Sequence, residues 1–132
     1  MATWEDVERL ALAMPQAEER LSRGLRQWRV GDRLFVWERP LRAKEAQELG
    51  AGAPDGPILG ARVEHLGAKE ALLAEEPELF FTTSHFDNNP SILVRLDVVT
   101  PAGLEEVVTE AWLARASPKL AEGYLAERGP VP

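Results

Sequence analysis

The chain reads as a two-layer α+β protein: a mostly antiparallel sheet covered by helices on one face, in the order α-β-β-β-α-β-β-α. Three observations predict this. Residues 25–30 (LRQWRV) and 33–38 (RLFVWE) are aromatic and β-branched runs separated by Gly31-Asp32, the spacing of a two-residue hairpin. Apolar residues recur at helical spacing near both ends of the chain: Trp4, Val7, Leu10, Ala11 and Met14, then Leu104, Val107, Val108, Ala111 and Trp112. Each helix has one apolar stripe, so two layers are the economical packing. The other sheet face is then a candidate binding or dimer surface.

The elements follow in order. Thr3 is a good N-cap with Asp6 three residues on, and Pro15 stops the first helix near Met14. The hairpin register pairs Val30 with Arg33, Trp28 with Phe35 and Arg26 with Trp37 on one face. Residues 39–57 lack periodicity and hold Gly50, Gly52, Pro54, Gly56 and Pro57, so they read as a flexible loop, with a short helix allowed at 42–49. A third strand is predicted over 58–64, a helix over 66–75, and strands over 79–82 and 91–97. Asp87-Asn88-Asn89-Pro90 is a turn signal between the last two. Thr100 and Pro101 cap and open the last helix, which Pro118 interrupts.

The 132 residues amount to one domain, 1–132. With no cysteine, disulfides, thiol catalysis and cysteine-ligated zinc are excluded, and a cytoplasmic setting is expected. No apolar run approaches the ~20 residues of a membrane span, so no membrane role is expected. The formal charge of -7 excludes a uniformly basic binder of nucleic acid or membrane. Charge is nonetheless uneven. Residues 20–44 hold eight basic residues against two acidic ones, a local +6, which leaves −13 for the rest.

No catalytic motif and no cofactor signature is present. Residues 50–56 (GAGAPDG) match neither a Walker A loop nor Gly-x-Gly-x-x-Gly, and no Gly-x-Ser-x-Gly elbow occurs. His85 and Asp87, spaced i, i+2, share one side of an extended segment and form a candidate small-molecule or metal site. His65 or a first-helix carboxylate would be a third ligand. Against this, His85 serves equally as a hydrogen-bonded turn residue and Asp87 as a turn cap. The hairpin interleaves arginines with aromatics, the equipment of phosphate contact and base stacking. Arg20, Arg23, Arg26, Arg29 and Arg33 are its candidate phosphate contacts and Trp28 its candidate stacking residue. The alternative is a buried aromatic core with arginines snorkelling at its rim.

The run AMPQAEE…WRVGDRLFVW (13–37) resembles the MmcQ/YjbR-like family, and residues 76–121 are similar to one bacterial branch of it. The resemblance implies a CyaY-like two-layer fold, similar to secretion chaperones, and a DNA-binding role. Arg33 stands where the family hairpin usually has lysine, and Asp32 replaces its second glycine. Three functional readings follow: a non-enzymatic DNA-binding module using the basic hairpin; a protein-interaction or chaperone-like module, or homodimer, using the open sheet face; and a ligand site near His85 and Asp87.

Overall fold

The computed structural model describes residues 2–128. The fold is α+β, with a six-stranded, wholly antiparallel open sheet in the order β1-β2-β3-β4-β6-β5. Helix α1 (Trp4–Leu12) opens the chain. Strands β1 (Ala17–Ser22), β2 (Leu25–Val30) and β3 (Arg33–Glu38) form a meander. Helix α2 (Ala43–Leu49) precedes β4 (Ile58–Arg62), and α3 (Leu66–Glu75) precedes β5 (Phe80–Phe81) and β6 (Ser91–Arg95). Helices α4 (Pro101–Arg115) and α5 (Pro118–Arg128) close the described chain. The predicted elements appear in the predicted order.

Local chemistry sets several boundaries. Thr3 Oγ1 accepts from the Asp6 amide and Asp6 Oδ2 accepts from the Thr3 amide, a complete capping box. Thr100 caps α4 through the Gly103 amide at 3.0 Å. Both hairpin turns place two successive residues at positive φ: Arg23-Gly24 and Gly31-Asp32. That backbone twist matches the flanking strands.

Strand β1 carries no alternating apolar signal, since five of its six residues are exposed. Backbone pairing with β2 makes it, and its charged side chains suit a sheet edge by discouraging further pairing.

The predicted hairpin register holds only next to the turn. Val30 pairs with Arg33 and Arg29 with Leu34, but Trp28 then pairs with Val36 and Gln27 with Trp37. Phe35 is the extra residue of a β-bulge. Phe35 and Val36 therefore both enter the helix-side core with Trp28 and Val30, while Trp37 turns to the opposite face. The helix-side core joins these to Leu59, Ile92, Val94, Leu104, Val108 and Trp112, all at most 1% exposed. The Trp112 indole N–H donates to the Pro15 carbonyl at 3.0 Å, tying α4 to the end of α1.

The second face is not the open surface expected. Trp37, Ile58, Phe81, Phe86 and Leu93 form a smaller core there, and Leu41 and Leu49 pack on it. Trp37 lies across Gly60 of β4, where any Cβ would overlap its indole.

The segment 39–49 is held over this core by a buried cluster. Arg39 makes a bidentate pair with Glu45, both contacts 2.9 Å, and stacks over the Phe86 ring. The Glu45 carboxylate also accepts from Thr83 Oγ1 at 2.7 Å and from the Arg42 amide at 3.0 Å. Glu48 receives the Ser84 amide and hydroxyl. From α3, the buried Lys69 ammonium donates to the carbonyls of Phe86 and Asn89. Burial raises the Glu45 carboxyl pKa, but the Arg39, Arg42 and Thr83 hydrogen bonds and the Arg39 charge outweigh it, leaving about 2 instead of 4.5.

Two outcomes follow from these contacts. A carboxyl whose pKa is depressed on folding stabilises above its unfolded pKa, and that stability is lost as pH falls. Urea midpoints should therefore drop between about pH 5 and pH 2, with Glu45 supplying about 3 kcal/mol of the fall. In Glu45→Gln the fall should shrink, and the neutral-pH stability should drop by about 3 kcal/mol because Arg39 loses its partner. Gly60→Val should cost about 1–3 kcal/mol by displacing the Trp37 indole, read by the same titration.

Candidate anion-binding site

The hairpin arginines divide into engaged and free ones. Arg26 is engaged: its amide and Nε both donate to Glu38 Oε1, at 2.6 and 3.1 Å, and its guanidinium lies between the Trp4 and Trp28 rings. The Glu38 hydrogen bond, with the charges of Glu38, Glu19 and Glu8, raises its pKa despite partial burial. Arg20 pairs with Glu18 and Asp32. Arg20 and Arg26, two of the candidate phosphate contacts, are thus already paired with carboxylates. Arg23 is exposed at the β1–β2 turn, one β2 length of about 20 Å from the β2–β3 turn. The six candidates thus do not form one patch.

Trp28 is corrected outright. It is 0% exposed and its indole N–H donates to Glu19 Oε1 at 3.0 Å, so no ring face is open to a base. Phe35 and Trp37 are buried as well. The aromatics of the hairpin are core.

A different set gathers at the end of the sheet marked by the Gly31-Asp32 turn. Arg33 begins β3, and Arg62 ends the antiparallel β4, so both lie at that end. Arg115 closes α4 there: burial, then the positive charges of Arg62 and Arg33, pull its pKa down. Burial alone pulls Arg62 down. Arg29 is near Arg33 along the hairpin but on the opposite sheet face, because Val30, the partner of Arg33, points to the helix side; Arg29 donates to the Asp32 carbonyl and to Gln27 Oε1, both neutral acceptors.

Among the described residues, none of Arg29, Arg33, Arg62 and Arg115 has a carboxylate within 4 Å. The Nε–H groups of Arg29, Arg62 and Arg115 are buried without a hydrogen-bond partner. Unpaired cations that repel one another, with unsatisfied buried donors, are the local chemistry of an anion site. Arg29 and Arg33 were among the sequence candidates. Arg62 and Arg115 were not, because one is a polar residue at the end of an apolar strand. The other sits in a last helical turn, where a basic residue reads as a partner of the helix dipole.

His85 and Asp87 are not brought together in the expected way. Ser84–Phe86 is a 3₁₀ turn, not an extended segment, and at three residues per turn i and i+2 diverge. Both are exposed. His65 caps α3, its Nδ1 accepting from the Ala68 amide at 3.0 Å, and Asp6 is spent in its capping box. Among the described residues no three His, Asp or Glu side chains gather as a metal set. In those residues no helix is long and apolar enough to cross a membrane.

The YjbR family model matches residues 12–114. Uncharacterised proteins of Mycobacterium bovis and Mycobacterium tuberculosis are each 45% identical over 132 residues, covering 98% of this chain and 100% of the relative. The crystal structure of a Deinococcus radiodurans protein with a DUF419 domain superposes with a TM-score of 0.64 at 18% identity, covering 86% of this chain and 78% of that one. That likeness concerns the fold.

If the arginine end holds an anion, inorganic phosphate at about ten times its dissociation constant should stabilise the protein by about 1.4 kcal/mol. Thermal melts followed by circular dichroism should show a Tm rise with phosphate. The rise should vanish in Arg62→Gln/Arg115→Gln. An equal rise in that variant would place the effect elsewhere.

Proposed function

The chain belongs to the YjbR family, and from that premise we propose a non-enzymatic module that binds the phosphate backbone of DNA through Arg33, Arg62 and Arg115. The single observation that carries this reading is the group of three arginines, Arg33, Arg62 and Arg115, with no acidic partner among the described residues at one end of the sheet. Guanidinium groups match phosphate oxygens bidentately and stay charged despite partial burial. Arg33 is exposed and marks the approach, while Arg62 and Arg115 are half-buried. Stacking has no place in this reading, because the aromatics are buried. Phosphate contact positions a duplex without reading its sequence, so the preference expected is for charge and shape.

Fluorescence anisotropy with a labelled random-sequence duplex tests it. Three phosphate contacts should cost about fortyfold in affinity between 50 and 200 mM salt. Arg33→Glu/Arg115→Glu should abolish binding, whereas Arg23→Gln, at the far turn, should change it by less than about twofold. Absence of saturable binding at 50 mM salt, or full affinity in the double charge reversal, would refute the assignment.

A further inference from the structure

A cleft of about 290 Å³ lies between α3, α4 and strands β4, β5 and β6. Its walls are apolar: Val63, Leu72, Phe80, Ile92, Val99 and Val107 border it. Its charged border is nearly all of one sign. Glu76 and Glu78, around the end of α3, face Glu106 and Glu110 of α4, against one basic residue, Arg62. All four carboxylates are exposed, and among the described residues none has a cationic partner within 4 Å. Glu106 and Glu110 are four apart on one helix, where like charges repel. The volume is about twice that of the roughly 150 Å³ cavities that admit benzene.

We propose that this cleft binds a small organic cation, a protonated amine carried on an apolar body of about ten non-hydrogen atoms. The apolar body replaces water along Val63, Leu72, Phe80, Ile92, Val99 and Val107. The ammonium group lies at the acidic border of the cleft, whose carboxylates have no cationic partner within 4 Å among the described residues. An anion of the same shape meets repulsion from the same groups. The cleft shares Arg62 with the arginine end, but its other charged residues are acidic and its proposed ligand has the opposite charge.

Octylammonium and octanoate share a chain and differ in the sign of the head group. Isothermal calorimetry should show octylammonium binding one to one at sub-millimolar concentration and octanoate at least about tenfold weaker, a difference of about 1.4 kcal/mol. Amide shifts in a ¹H–¹⁵N spectrum should centre on Val63, Val99, Gly103 and Val107. Glu106→Gln/Glu110→Gln, at exposed positions that leave the core intact, should remove most of the preference for the cation. Val107→Trp should fill the cleft and abolish binding. Equal binding of the two probes, shifts centred elsewhere, no binding at millimolar octylammonium, or an unchanged preference in the double Gln variant would each overturn the proposal.

Discussion

Both cores of this protein depend on one extra residue in one strand. The bulge at Phe35 breaks the two-residue alternation of β3, so Phe35 and Val36 fall on the same side and Trp37 on the other. Without it, the side chains of β3 beyond Phe35 would exchange faces. Val36 would leave the helix-side core, and Trp37 would press into α4 rather than lie over Gly60. The bulge also sets what the rest of the sheet must supply. Gly60 is the residue of β4 that tolerates an indole across its backbone, and Leu93 and Phe81 continue that layer onto β6 and β5.

The second layer needs a cover, and the chain provides one with polar chemistry. A helix of seven residues has too little apolar surface to dock by packing alone. Leu41 and Leu49 give it a small apolar anchor, and Glu45 and Glu48 capture the Thr83-Ser84 backbone and hydroxyls. Arg39, fixed at the end of β3, neutralises Glu45 and covers Phe86 in the same gesture. Losing one member leaves the others buried and uncompensated, which makes the cover an all-or-none unit.

Much of this was legible in the sequence and some was not, for physical reasons. The caps at Thr3 and Thr100, the helical stripes ending in Trp112, and the Gly31-Asp32 turn are local signals, and the local structure follows them. Strand β1 was missed because AEERLS has no apolar alternation, and an edge strand paired on one side needs none. The bulge was missed because a break in register leaves no mark when both strand faces carry apolar residues. The cover over the second face arises from the Arg39–Glu45 ion pair and from hydrogen bonds between residues as distant as Glu45 and Thr83. For the site, sequence singled out a basic hairpin as a place of excess charge. It did not separate Arg26, neutralised by Glu38, from Arg33, which has no such partner, because that depends on which carboxylates the register delivers.

A net charge of -7 and an anion-binding end are compatible because electrostatics in salt is local. At physiological ionic strength the Debye length is about 8 Å, so exposed carboxylates across the molecule are screened from a phosphate at the arginine end. Arg62 is the boundary between the two regimes. It belongs to the arginine group that perturbs Arg115 and also borders the acidic cleft. Excess positive charge gathers at the hairpin end and excess negative charge around the cleft between α3 and α4. That separation persists in the folded protein because neither set has opposite charges within contact distance to collapse onto. An uncompensated group of like charges costs stability. Here two such groups sit a few residues apart in the fold, each beside a surface that a ligand of the opposite sign would neutralise.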